Sequence, residues 1–260
     1  MKNILVTNDD GIHAPGLRVA ERIAAELGAN VWVVAPEEDC SGRSQAITMH
    51  QPLRLRECGE RRFALSGTPA DCVLFASAHF FANKTPDLVI SGVNSGANTG
   101  DAAMYSATVG AALAAAHIGW PAVALSQAFI GDRNLIDWNV SEELSAGYIR
   151  ECLKENSGIS WNINFPVGPI ETVRGHQFCT QGRHSIESVK GILSKDGRGI
   201  PSYWLGFEKG TAPTVEEGTD IAAVASGYVA ITPLLAHRAD VALVEELSNK
   251  KSFKDIVNNG

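Results

Sequence analysis

The stretch Asn3-Ile-Leu-Val-Thr-Asn-Asp-Asp-Gly-Ile-His-Ala-Pro-Gly16 decides the fold. Asn3 to Thr7 is a short apolar run with the length and composition of a strand buried on both faces. The chain leaves it through Asn8, Asp9, Asp10 and Gly11 and meets Pro15-Gly16, a signal for a helix start. A buried strand that turns directly into a helix opens an α/β sheet, in which ligands bind beyond the carboxyl ends of the strands. Two adjacent carboxylates at such a place are costly unless a cation or a shared proton offsets them. Asp9 and Asp10 therefore point to a divalent metal. The plainer reading, a cap on the following helix, needs only one Asp. The turn also lacks the G-x-G-x-x-G spacing of a dinucleotide loop.

Outward from this stretch, short apolar runs alternate with helical ones up to about Ser126, the pattern of βαβ units around a parallel sheet. Strands are expected at Asn3 to Thr7, Val31 to Ala35, Leu88 to Ser91 and Ala122 to Ser126, with helices at about Leu17 to Leu27, Ala70 to Phe81 and Thr108 to Ile118. Thr68, Pro69 and Asp71 give the second helix a cap, a first-turn proline and an acid at its positive end. Ile47 to Ser66 reads as added antiparallel strands, and Glu142 to Lys154 as a helix leading into a strand from Trp161 to Phe165. From Pro166 the chain is Gly-rich and polar. Asp196-Gly197 between apolar runs predicts a tight hairpin from about Ser188 to Phe207, either an arm toward a partner subunit or an edge hairpin folded on its own domain. Ser248 to Gly260 is polar and expected to fray. The expected organisation is one α/β domain over residues 1–260, with a core over about 1–130 and a strand-rich extension over about 166–260.

A net charge of −7 gives no basic footprint, which argues against duplex nucleic acid as a partner. The 5 cysteines are odd in number, widely spaced and free of C-x-x-C, so neither a disulfide framework nor a zinc site is indicated. No run is long and apolar enough to span a bilayer, and the chain opens on a strand without a leader, so a cytoplasmic protein is expected.

Three further strand ends carry chemistry. An acidic loop, Pro36 to Ser44, runs into Ser41, Gly42 and Ser44. Gly92 to Gly100 has glycine at every fourth position, allowing an anion nest of backbone N–H groups, with Asn94 and Asn98 between them. Ser106 and Thr108 open an Ala-rich helix, where hydroxyls and a helix N-terminus favour a phosphate, although each alone could be a simple cap. Carboxylates with neutral oxygens suit Mg²⁺, Mn²⁺ or Ca²⁺ better than zinc. His13 is near only in sequence.

The segments ILVTNDDGIHAPG, VVAPEEDCSGRSQAIT, GTPADCV, PDLVISGVNSGANTGDAAMYSATVGAA, NINFP and GTDIAAVASGYVAITPL resemble, in order, the motifs of the SurE survival-protein family of metal-dependent nucleoside monophosphate phosphatases. The resemblance implies a Rossmann-like core and a C-terminal part exchanged between subunits of a homodimer or homotetramer. It assigns one divalent metal ion per subunit to Asp9, Asp10, Ser41 and Asn94, and the phosphate pocket to Asn98, Ser106 and Thr108 with Gly42 beside it. The implied reaction is hydrolysis of nucleoside 5′-monophosphates, with 3′-monophosphates as a second class, Asp9 and Asp10 being the catalytic pair. The loop EEDCSGRSQ departs from the family by carrying more acid where basic residues are common. A phosphoryl-accepting receiver domain shares the acidic pair, but needs an Asp where DLVISGVN offers Asn94 and a Lys that AVALSQ lacks. A nucleotide-binding protein without catalysis is the third reading.

Overall fold

The computed structural model describes residues 1–28, 30–155, 160–183, 186–209, 216–236 and 241–250. In chain order the elements are β1 (Asn3–Thr7), α1 (Pro15–Leu27), β2 (Asn30–Pro36), β3 (Leu55–Gly59), β4 (Arg62–Leu65), α2 (Pro69–His79), β5 (Leu88–Ser95), α3 (Ala107–His117) and β6 (Ala122–Gln127). Then follow α4 (Asn139–Glu155), β7 (Ser160–Phe165), β8 (His176–Phe178), β9 (Ile186–Lys195), β10 (Pro201–Lys209), α5 (Asp220–Ala225), β11 (Val229–Leu234) and α6 (Val241–Lys250). A 9-stranded sheet has the order β3-β4-β2-β1-β5-β6-β7-β11-β8. From β4 to β7 all neighbours are parallel, while β3 pairs antiparallel with β4, and β11 antiparallel with β7.

Alternation along β1 divides the core. Ile4 and Val6 pack with Leu17, Ile23, Val140 and Ile149 on the face covered by α1 and α4. Leu5 packs with Val73, Val109 and Ala112 on the face covered by α2 and α3. Both faces are dry, so the strands need no polar alternation. Arg22 ties α1 to α4 by two bonds to Glu142, at 2.5 and 2.6 Å. The start of α2 is a full capping box: Thr68 accepts from Asp71 N–H at 3.1 Å, and the Asp71 carboxylate accepts from Thr68 N–H at 2.9 Å. That carboxylate also accepts from the Thr48 amide and hydroxyl.

Residues 47–54 are irregular, not strand: Thr48 is bonded to the Asp71 carboxylate and Arg54 N–H to Ser66 Oγ, while only β3 and β4 form the expected antiparallel pair, and β4 continues the sheet parallel to β2. The β9–β10 hairpin forms its own 2-stranded sheet. Its turn is longer than the tight one Asp196-Gly197 predicts, since Lys195 pairs with Pro201. The Asp196 carboxylate accepts from Arg198 and Ile200 N–H, and Gly199 rather than Gly197 takes positive φ, at 79°. Beyond it, α5, β11 and α6 follow, each with an apolar run of its own. α6 runs to Lys250, and residues 251–260, expected to fray, lie outside the described residues. No helix among the described residues is long and apolar enough to cross a membrane.

Candidate active site

The chain runs outward from β1 to β2 and β4, then crosses to β5 on the other side of β1. Ligands in open sheets bind at such a switch point, beyond the carboxyl ends of the strands. Here the loops after β1, β2, β5 and β6 meet around a cleft of about 340 Å³. Asp9, Ser41, Gly42, Asn94, Asn98 and Ser106 all line it. The structure thus brings together most of the residues singled out from the sequence. His13 is exposed and does not line the cleft.

Asp9 is 3% exposed, and its Oδ1 accepts the Thr108 hydroxyl at 2.6 Å. Burial pushes its carboxyl up to about 6, against the opposing Thr108 bond and with the Asp10 charge adding to the rise. Asp10 sits behind the cleft wall: its Oδ2 accepts from Ser95 N–H and Oγ–H, both at 3.2 Å, and its Oδ1 pairs with Arg133. Burial raises its carboxyl as well, with Arg133 opposing. Asp9 Oδ2 takes part in none of these bonds, so the acidic pair is unequal. One carboxylate faces the cleft with a free oxygen and the other is already engaged on both.

Thr108, expected on the phosphate, has no exposed surface and does not line the cleft. Its observed work is to fix Asp9. Ser106 caps α3, accepting from Val109 N–H at 3.1 Å, which leaves its hydroxyl proton for the cleft. Gly42 has φ of 76° with open space where a Cβ would stand, so glycine is required there by backbone conformation and not by crowding. The Ser41–Ser44 loop is pinned at both ends. Cys40 N–H bonds Asp9 O at 2.8 Å, and Ser44 bonds Met104 O and Tyr105 O at 2.7 and 3.1 Å. A Cβ on Gly110 would meet Ser44 O at 2.2 Å, so α3 packs directly on this loop's backbone.

Several functional supports escaped the sequence reading. Asn98 is clamped: its N–H donates to Asn164 Oδ1 at 2.7 Å, its C=O accepts from Asn162 at 2.8 Å, and its Nδ2 donates to Ser126 Oγ at 2.8 Å. Two asparagines at alternate positions of the fully buried β7 are the available signal, because a buried amide demands partners. Asp220, fully buried, accepts from Gly100 and Gly182 N–H, both at 2.9 Å, tying the Asn98 loop to α5. Arg133 had no motif around it.

A divalent cation fits the donor chemistry. Among the described residues no group of three or more His, Cys, Asp or Glu side chains is arranged for a metal, so a site here needs neutral oxygens beside the two carboxylates. Ser41 and Asn94 line the cleft with Asp9, and Asn94 Nδ2 donates to Gly96 O at 2.8 Å, which turns its amide oxygen away from that bond. A buried carboxylate whose charge is disfavoured is also the partner a cation relieves. The receiver-domain reading fails here: β5 brings Asn94, and Gln127 at the end of β6 donates to Ala128 O and Pro166 O.

Comparison with known proteins follows this geometry. The family described as Survival protein SurE matches residues 4–188. A protein of Bradyrhizobium sp. (strain ORS 278) named 5'-nucleotidase SurE is 44% identical over 252 residues, covering 95% of this chain and 98% of that protein. One from Burkholderia lata named 5'-nucleotidase SurE 1 is 43% identical over 238 residues, covering 90% and 91%. The crystal structure of the SurE protein from Aquifex aeolicus is similar, with a TM-score of 0.80 and 30% identity, covering 96% of this chain and 100% of that one.

Proposed function

The chain belongs to the SurE survival-protein family, and from that premise we infer that it is a 5′-nucleotidase, a hydrolase that releases phosphate from a nucleoside monophosphate. The observation that carries the reading is one cleft at a sheet switch point holding a buried carboxylate, two neutral oxygen donors and a clamped Asn-Ser anion wall.

We assign the metal ligands to Asp9, Asp10, Ser41 and Asn94, a hard oxygen set that suits one Mg²⁺ or Mn²⁺ per subunit. Bound there, the cation would supply Lewis-acid activation of water and neutralise charge on the phosphoryl oxygens. The protein's own groups do the rest. Thr108 holds Asp9 through Oδ1, leaving Oδ2 available at the cleft to the cation and its attacking water. Asn98, the Ser106 hydroxyl and the Gly42 backbone donate to the phosphate as neutral groups, with the α3 N-terminus behind them. 3′-Monophosphates are the second substrate class to test.

The homodimer is also ours to propose. Val189, Ile192, Leu193, Tyr203, Trp204 and Leu205 of the β9–β10 hairpin are all more than half exposed, and two strands alone are marginal in water. A second copy covering this arm accounts for them. All 5 cysteines are free thiols, which supports a cytoplasmic setting.

Phosphate release from a panel of nucleoside monophosphates, with Mg²⁺ or Mn²⁺ and with chelator, tests the function. Asp9→Asn and Asp10→Asn should each remain folded and lose most turnover. Full activity in chelator, or in the double variant, would overturn the metal assignment.

A further inference from the structure

We propose that Arg133 is a built-in counter-cation that holds Asp10 in the metal-free enzyme, yields it to the divalent metal, and then binds the substrate's phosphate; this rests on the nucleotidase reading above. Arg133 comes from the short turn Arg133–Leu135 beyond β6, outside every motif of the family resemblance. The Arg133 side chain is 48% exposed, while the Asp10 side chain it meets is only 6% exposed. A surface cation thus sits on a nearly buried carboxylate. Nη2 pairs with Asp10 Oδ1, and Nη1 lies 3.9 Å from Asp39 Oδ2 on the acidic loop after β2.

Two physical arguments follow. First, Asp10 Oδ1 cannot serve a guanidinium and a metal equally. Two cations drawn to one buried oxygen repel strongly at these separations, so metal loading must displace Arg133 or bind more weakly because of it. Second, among the described residues lining the cleft Arg133 alone is basic, and the anion wall facing it is neutral. Once released from Asp10, the guanidinium finds its best remaining partner in a phosphate dianion, whose oxygens match its planar fork.

The test uses full-length, chelator-stripped protein and the variants Arg133→Gln and Arg133→Lys. Mn²⁺ affinity is read by titration calorimetry, and inorganic phosphate inhibition and steady-state kinetics at saturating Mn²⁺. Arg133→Gln should bind Mn²⁺ about tenfold more tightly, with the phosphate inhibition constant and KM each raised about tenfold and kcat changed little. Arg133→Lys, which keeps the charge without the fork, should lie between the two on both readouts. Unchanged or weaker Mn²⁺ binding in Arg133→Gln, or unchanged phosphate inhibition, overturns the proposal. If wild type releases no phosphate from any nucleoside monophosphate with Mn²⁺ or Mg²⁺, the nucleotidase reading falls and the phosphate role with it. Normal release with unmoved Mn²⁺ affinity in Arg133→Gln overturns the role of Arg133 alone.

Discussion

Replacing Asp9 by Asn should stabilise the metal-free protein at neutral pH while abolishing its metal response. The carboxyl is raised from an ordinary 3.8 to about 6 by burial. A rise of about two units corresponds to roughly 3 kcal/mol of unfavourable ionisation in the folded state. The sign follows from proton binding. Between about pH 4 and 6 the folded chain holds a proton on Asp9 that the unfolded chain has lost, so stability falls as pH rises through this window, and the full cost is present above it. Asn carries no charge, and its Oδ1 still accepts the Thr108 hydroxyl. With an unfolding entropy of about 2.1 cal/mol/K per residue, 260 residues convert 3 kcal/mol into a rise in Tm of about 5 °C. Calorimetric melts in chelator from pH 4 to 8 should show the two proteins together at pH 4 and separated above pH 6. Saturating Mn²⁺ should then raise wild type by about 2.7 kcal/mol at a hundred times Kd and leave Asp9→Asn nearly unmoved. An Asp9→Asn protein no more stable than wild type at pH 7.5 in chelator would refute the buried-charge argument.

Thr108→Val removes the hydrogen bond that lowers the Asp9 carboxyl, so Mn²⁺ binding should require higher pH while phosphate inhibition stays normal; an unmoved pH midpoint with weakened phosphate inhibition would return Thr108 to the phosphate. Gly110→Ala forces a methyl toward Ser44 O, 2.2 Å from the ideal position, and should cost about 1–3 kcal/mol in thermal melts and weaken phosphate binding by displacing the Ser41–Ser44 loop. Wild-type melting and kinetics in that variant would contradict the close packing. Excising residues 188–207 and rejoining the ends with a short Gly-Ser linker should leave monomers or aggregates by light scattering, and a soluble, fully active monomer would count against the shared arm.

What could be read without coordinates was whatever leaves a local signature. The β1 run and the Thr68-Pro69-Asp71 start of α2 carry their meaning within a few residues and form where expected, and Asp9 and Asp10 follow β1 directly, with Asp9 lining the cleft. The Thr108 hydroxyl has two candidate partners at the mouth of one helix, a phosphate and Asp9, and only the fold shows that Asp9 Oδ1 stands 2.6 Å away. Residues 47–54 have a strand-like composition, but Thr48 among them is bonded to the Asp71 carboxylate of another element. Arg133 was invisible for the same reason, its meaning lying 123 residues away on Asp10. In the C-terminal elements the same distance applies to Asp220, whose fully buried side chain is satisfied by three backbone N–H groups, those of Gly100, Gly182 and Ile221.

Those distant supports bear on the proposed role of a loop with a glycine at every fourth position as an anion wall. Glycine enlarges the set of backbone conformations, so the Gly92–Gly100 loop would by itself lose binding energy to its own ordering. Here the ordering is done in advance by groups from the other end of the chain. Asn162 and Asn164 fix both backbone polar groups of Asn98, Ser126 fixes its amide, and Asp220 holds Gly100. β7 and β11 lie in the same sheet as β1, which transmits this clamp without an intervening hinge. On the proposed assignment of Asn98 to the phosphate, the strand-rich second half of the chain supports that site. A substitution at Asn164 should accordingly weaken phosphate binding although its side chain does not line the cleft, because Asn98 would then spend binding energy on settling into place.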